Sequence, residues 1–376
     1  MRKGAQVSKK RALALLFGSM MVLASCTNLP ATTMYTYGEH ANSILNDVLM
    51  PVFWMAIAVF VIVQGALVYT VIRFRSKKPD APIPVQTHGN TNVEIAWTVA
   101  PAIVVLIVTV LSFRVQAANS YQPPEAIKIC AVAHQWWFEF QYDVSNEECN
   151  PFSGAKSSED ALVTASDLYI PVGQSVQIQL EAADVMHNFW VPKLAGKTYM
   201  IPGKTNYLAF KAEEPGIYRA FCAEFCGEAH AQMRFRVIAL APEEYAAWKT
   251  SYKNVPAVST GTVSVLGLTG DAARGAALFA EPKKHCMSCH IISGTAAKGK
   301  IGPNLTHYGN RLTIAAGVLP YSTDNLALWM QDPEAVKQGN LMGRVIKKGT
   351  LSDQEVADLV AYLDSMKLPV TKPAEK

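Results

Sequence analysis

Between Cys222 and Met233 the chain reads C-A-E-F-C-G-E-A-H-A-Q-M, which places two thiols, an imidazole and a thioether on one short loop. Thiolates and thioethers are soft donors that select copper, and imidazole suits copper equally well. Further along, Cys286-Met287-Ser288-Cys289-His290 is a C-x-x-C-H sequence, the pattern to which a c-type haem is attached. Two one-electron centres on one chain point to electron transfer.

A single blue-type copper takes one Cys, two His and a weak Met. The second Cys, four positions after the first, points instead to two copper ions bridged by two thiolates, and that arrangement needs another imidazole. Asp184-Val185-Met186-His187-Asn188-Phe189-Trp190 supplies it at His187. In this reading Cys222 and Cys226 bridge, and His187 and His230 cap one copper each. Met233 completes one end and the backbone carbonyl of Glu224 the other. A disulfide between Cys222 and Cys226 would leave both histidines and Met233 without a purpose, and zinc would not need the thioether. At the haem sequence, Cys286 and Cys289 form the thioether links and His290 binds the iron from one side. The distal ligand must come later, from His307, Met330, Met342 or Met366. Met330 and Met366 fall in helical runs. Met342 follows Lys337-Gln338-Gly339-Asn340-Leu341, an irregular loop that resembles the axial-methionine loop of class I cytochromes c, and is assigned ahead of His307.

These groups need a scaffold, and half of the 376 residues are hydrophobic. Val48 to Ile72 and Ile95 to Phe113 carry no charge, and each is long enough to cross the roughly 30 Å hydrocarbon layer as a helix. Upstream, Arg2, Lys3, Lys9, Lys10 and Arg11 precede the apolar run Ala12 to Ala24, which reads as a secretory signal over residues 1–25. Leu23-Ala24-Ser25-Cys26 resembles a lipoprotein processing site with Cys26 as the lipidated residue; cleavage elsewhere without lipid is the alternative. Arg73, Arg75, Lys77 and Lys78 between the spans belong on the cytoplasmic side. Everything after Phe113 is then outside, where disulfides persist. Cys130 and Cys149 are left over, and a disulfide and two free thiols are equally open.

From Glu125 to about Ala241, short β-type runs are divided by turn signals such as Pro171-Val172-Gly173-Gln174 and Pro215-Gly216. No long helical pattern alternates with them, so an all-β sandwich or barrel is expected over 118–250; a cupredoxin-like Greek-key sandwich is the form that would bring the His187 loop beside the cysteine loop. Asn119 to Thr250 holds 16 acidic and 10 basic residues, an imbalance that steers a cationic partner. Residues 251–267 read as a linker. In the C-terminal module, 268–376, Asp271 can cap a helix through Phe279. Ser352-Asp353-Gln354-Glu355 is a capping box for a second helix whose Val356, Leu359, Val360 and Leu363 share a face. With 13 basic and 10 acidic residues from Asp271 on, this module opposes the charge of the sandwich.

With these motifs in place, the chain resembles subunit II of haem-copper cytochrome c oxidase, in the form that carries a fused cytochrome c, from Ile44 to Lys367. The resemblance implies a two-helix transmembrane hairpin within 26–117, a sandwich holding dinuclear CuA, and an all-α class I cytochrome c domain with covalent haem c. It also implies docking on a catalytic subunit I. Ala133-His134-Gln135-Trp136-Trp137 resembles the family's aromatic segment, so electron input is carried over to Trp136. Trp137-Phe138 stand where the family has Tyr-Trp, and read as core aromatics. The resemblance further implies a magnesium ion held at the subunit interface by the Glu224 side chain, and a proton-channel entrance at Glu94. Gly343 stands where the family usually has proline.

The expected function is electron input. An external donor such as a cytochrome c reduces haem c, haem c reduces CuA, and CuA feeds a subunit that reduces oxygen to water with proton pumping. The expected place is a bacterial cytoplasmic membrane, with both redox modules on the periplasmic side, contact with membrane lipid, and no role in nucleic-acid binding. Two rivals stand beside it. One is the CuA subunit of a nitric oxide reductase. The other is a membrane-tethered copper-delivery protein, which uses C-x-x-x-C and a His but needs neither haem nor a second span.

Overall fold

The structure is a computed structural model that describes residues 38–75, 82, 85–86, 88–143, 149, 162–255 and 261–368. The expected signal segment, Cys26, Lys77 and Lys78 lie outside the described residues.

Two long helices come first. α1 (Glu39–Phe74) includes a π-helical stretch at Ile44–Leu49, and α2 is Thr91–Asn119. The side chain of Asn90 starts α2 by accepting from the amides of Asn92 and Val93, at 3.1 and 3.3 Å. Both helices leave large apolar side chains such as Trp54, Phe60, Trp97 and Phe113 exposed. That surface is unfavourable in water and suited to lipid. The helices meet where Ser43 Oγ donates to Asn119 Oδ1 at 3.1 Å. At this end they also touch the β domain: the Ala41 amide donates to the Leu194 carbonyl at 3.3 Å, and Lys211 pairs with Glu39 at 2.9 Å.

The β domain contains β1 (Ile127–His134), β2 (Trp137–Tyr142), β3 (Val163–Ala165), β4 (Asp167–Pro171), β5 (Val176–Ala182), β6 (His187–Trp190), β7 (Lys197–Met200), β8 (Asn206–Phe210), β9 (Gly216–Phe221) and β10 (Arg234–Leu240). They form two five-stranded sheets, ordered β3-β2-β1-β5-β8 and β4-β10-β9-β6-β7. Pairing is antiparallel except for β1 with β5 and β4 with β10. This is the expected sandwich. Phe138, Phe140, Phe189 and Phe235 interdigitate at its centre, with ring centroids as close as 4.6 Å. The core reading of Phe138 therefore holds. Cys130 on β1 is disulfide-bonded to Cys149, with Cα atoms 5.6 Å apart. α3 (Pro242–Tyr252) closes one end, stacking Trp248 on Tyr169 at 4.3 Å.

α3 runs into the stretch read as linker, and Thr262–Val265 form β11, paired with β12 (Leu268–Asp271) through a two-residue turn. Leu266 and Gly267 both have positive φ there, as a tight hairpin turn requires. The remaining domain is helical: α4 (Ala272–Phe279), α5 (Cys286–Cys289), α6 (Thr323–Gln331), α7 (Pro333–Val336), α8 (Leu341–Val345) and α9 (Asp353–Ser365), with a small strand pair at Thr313–Ile314 and Leu319–Pro320. Both expected caps are present: Asp271 accepts from the Arg274 amide at 2.8 Å, and Ser352 and Glu355 form a reciprocal capping box. α4 crosses α9 closely because Gly275 has no side chain; a Cβ there would overlap the Asp358 carbonyl. The buried Asp358 carboxylate ties the pair by accepting from the Asp271 amide and Arg274 Nε, at 2.8 and 2.9 Å.

Candidate metal centres and the contact between their domains

β9 delivers Cys222 to the end of the second sheet, and its neighbour β6 begins with His187. The two sites of the sequence motif therefore meet because their strands pair. The Cys222 and Cys226 sulfurs lie 3.8 Å apart. His187 Nδ1 faces Cys222 Sγ at 3.9 Å, and His230 Nδ1 faces Cys226 Sγ at 3.6 Å. Met233 Sδ is 3.8 Å from Cys226 Sγ, and the Glu224 carbonyl oxygen is 3.3 Å from Cys222 Sγ. All six expected donors thus converge, each sulfur with its own imidazole. Among the described residues, His187, Cys222 and Cys226 form a group able to hold a metal, with their ligand atoms within 4.8 Å of one another.

The surroundings favour a cation. The hydrogen bond with Cys226 pulls the Cys222 thiol well below its usual range, and the same neighbour pushes Cys226 up. The pair therefore holds one negative charge readily, and a second needs a positive ion between them. Burial works against a charged His187, yet Asp184 and Cys222 outweigh it and raise the imidazole's affinity for a proton. The field that holds a proton there also attracts a metal. Asp184 Oδ1 accepts from His187 Nε2 at 2.8 Å, which leaves Nδ1 as the free lone pair. A carboxylate behind a ligating histidine fixes ring orientation and tautomer.

One strut braces both ligand loops. The Gln135 amide donates to Asp184 Oδ2 at 2.6 Å, while Gln135 Nε2 and the Trp136 indole N–H both donate to the Cys226 carbonyl, at 2.8 and 2.9 Å. Trp136, only 6% exposed, is thus in direct contact with the thiolate loop. Sequence reasoning missed Asp184 and Gln135 as supports, although Asp184 stands three residues before His187 and was visible as a candidate partner.

In the helical domain, α5 carries Cys286 and Cys289, both free thiols, and ends at His290, whose amide donates to the Cys286 carbonyl at 3.0 Å. His290 Nδ1 donates to the Pro303 carbonyl at 2.9 Å. Burial pushes His290 down to about 4, so the ring is neutral and its Nε2 lone pair is available to a metal. Gly302 lies against the ring, where a Cβ would overlap it. Met342 sits on α8 and packs on the same core as Cys286 and Met287. The Met342 loop is braced by Asn340, whose side chain accepts from the Gly343 amide at 2.7 Å and donates to the Pro333 carbonyl at 2.8 Å. Gly343 therefore supplies an amide that proline lacks, and that amide braces the loop. His307 is elsewhere: it stacks on Tyr252 at 4.1 Å, and its Nε2 donates to the Asn254 carbonyl at 2.9 Å. Met330 and Met366 are buried in the helical core.

The donor sets fit copper and a c-type haem, and known families match in the same places. Residues 38–115 match the transmembrane domain of cytochrome c oxidase subunit II, 127–240 its periplasmic domain, and 272–367 cytochrome c. Cytochrome c oxidase subunit 2 of Alkalihalophilus pseudofirmus is 33% identical over 364 residues, covering 95% of this chain and 97% of the relative. The chain belongs to the cytochrome c oxidase subunit 2 family. The Bacillus subtilis subunit 2 is 29% identical, over 95% of this chain and 98% of its own. The crystal structure of the periplasmic domain of Bradyrhizobium japonicum subunit II matches with a TM-score of 0.30 and 24% identity, over 35% of this chain and 97% of that one.

As a subunit 2 chain it is a component of a haem-copper oxidase, anchored by two apolar helices, with a copper-type and a haem-type domain. Glu94, in the first turn of α2, lies far along the chain from both centres and is exposed. The two redox domains touch. The Arg234 amide, beside Met233, donates to the Ala316 carbonyl, and the Leu312 amide donates to Asp167 Oδ2, both at 3.1 Å. Lys337 Nζ donates to the Trp136 carbonyl at 2.7 Å and to the Ala315 carbonyl at 3.1 Å. Burial pushes the Lys337 ammonium down to about 7.

Proposed function

We propose that this chain is the electron-input subunit of an oxygen-reducing haem-copper oxidase. Electrons from an external donor enter at the C-terminal domain, cross to the Cys222–Met233 loop and leave for subunit I. Covalent haem c and dinuclear CuA, when bound, supply the one-electron chemistry. Cys222 and Cys226 would hold the copper pair between them, with His187, His230, Met233 and the Glu224 carbonyl as its further ligands. Cys286, Cys289, His290 and Met342 would hold the haem. Trp136 lies on the path between the domains. The segment between α1 and α2 faces the cytoplasm and the two redox domains face the periplasm.

One observation carries this reading: two thiols within 4 Å of each other, each faced by a different imidazole through Nδ1. A copper-delivery site needs one ion and has no use for the second imidazole or for Met233. The Glu224 side chain, half-buried beside this pair, is assigned to magnesium at the subunit I interface. Metal analysis of the purified complex tests both assignments. Two coppers per chain with a purple mixed-valence spectrum and one magnesium are expected; a single copper would overturn the dinuclear site.

Glu94 is assigned to the proton-channel entrance, which distinguishes the oxidase from the nitric oxide reductase reading. Glu94→Ala should slow proton uptake while reduction of the copper pair keeps its rate. Unchanged turnover would remove Glu94 from the channel.

A further inference from the structure

Lysine is almost never fully buried unless it is paired, yet Lys337 is 3% exposed. Its two partners in hydrogen-bond range are neutral carbonyls, one in each domain: Ala315 in its own and Trp136 in the copper-binding one. An ammonium removed from water loses strong hydration, and packing within one domain could be served by any apolar side chain. What the amino group adds is a directed hold on the partner domain through its N–H donors.

The group it grips is not an arbitrary carbonyl. The indole of the same Trp136 donates to the Cys226 carbonyl at 2.9 Å, so Lys337 is two contacts away from a bridging thiolate residue. On its other side, Lys337 precedes Met342 in a loop whose Asn340 also binds the Lys337 carbonyl. The surfaces around it are shaped for one pose. Gly339 and Gly317 both have positive φ, and a Cβ at either would fall within 2.7 Å of the Glu228 side chain or of Arg234 Cβ. Two hydrogen bonds from backbone amides flank the contact, Arg234 to the Ala316 carbonyl and Leu312 to the Asp167 carboxylate.

We infer that Lys337 is a positioning residue that fastens the haem-bearing domain onto Trp136 in the geometry used for electron transfer to the copper pair. The inference rests on the proposed order, haem c before CuA. Removing the Lys337 amino group should leave each centre intact and loosen only the fit between them.

The test compares the wild-type complex with Lys337→Met, which keeps the length of the stem and drops the N–H donors. Haem c is reduced photochemically, and its reoxidation and the reduction of copper are followed optically. The expected result is a transfer rate at least tenfold slower in Lys337→Met, with both absorption spectra unchanged. Amide hydrogen exchange at Arg234 and Leu312 should become faster, a change that does not depend on turnover. An unchanged rate with unchanged protection would overturn the inference. Should Lys337→Met lose its haem spectrum, Lys337→Gln, which retains a donor, is measured in the same way; loss of the spectrum in both would make Lys337 a folding residue and overturn the inference too. If wild-type haem c is reoxidised without copper becoming reduced, the failure lies in the proposed order and not in the role of Lys337.

Discussion

Cys226→Ser is expected to abolish the dinuclear copper centre and to stop electron flow from the C-terminal domain to the rest of the oxidase. The Cys226 sulfur has three ligand-type neighbours: Cys222 Sγ at 3.8 Å, His230 Nδ1 at 3.6 Å and Met233 Sδ at 3.8 Å. A serine hydroxyl is a hard donor that does not replace a bridging thiolate for copper. Removing an outer partner of a metal ligand costs about 10–100-fold in affinity or activity; removing a bridge should exceed that, leaving at most one weakly held copper per chain. Copper analysis and electron paramagnetic resonance of the variant complex check this. Retention of two coppers with a shared unpaired electron would show that Cys226 is not a bridge. The fold should survive, because Cys226 lies at the loop end of the sandwich while the Phe138, Phe189 and Phe235 rings hold its centre.

Such a local result could be anticipated because most of the proposed ligands are close together in the chain. Cys222, Cys226, His230 and Met233 fall within one loop, and Cys286, Cys289 and His290 within one turn, so spacing alone identifies them. The strands that place His187 beside Cys222 were harder to read. β6 has only four residues, and β9, Gly216–Phe221, starts at a turn glycine with its alternation interrupted by Arg219. Pairing between them brings two loops together, and pairing is not a local property. The same holds for the disulfide, which spans a sequence separation of 19 and depends on where β1 lies. Least legible was the domain contact. Lys337 and Trp136 are separated by 201 positions, and nothing in the run Glu334-Ala335-Val336-Lys337 marks its lysine as buried. A lysine in a polar loop is ordinarily solvated, and only the neighbouring domain reverses that expectation.

That contact gives the Met342 assignment a consequence beyond the haem itself. Met342→Ala should leave the haem covalently attached through Cys286 and Cys289 but remove the far-red sulfur-to-iron charge-transfer band. His307 is not placed to substitute, being held against Tyr252 and the Asn254 carbonyl. Axial ligands span roughly 0.8 V of haem potential, and Met/His ligation raises it relative to His/His, so loss of the thioether should lower the potential by on the order of 0.1 V or more. For a one-electron couple each 59 mV is about tenfold in equilibrium constant. Reduction by the external donor would then become more than tenfold less favourable, although the following step to copper becomes more downhill. Turnover should fall at the input step, and a stronger artificial reductant should restore it, because the Lys337 grip on Trp136 does not involve the methionine side chain. A redox titration with and without that reductant separates the two steps. Survival of the charge-transfer band in Met342→Ala would move the distal ligand to another residue, and failure of the stronger reductant to restore turnover would show that Met342 also shapes the contact with the copper-binding domain.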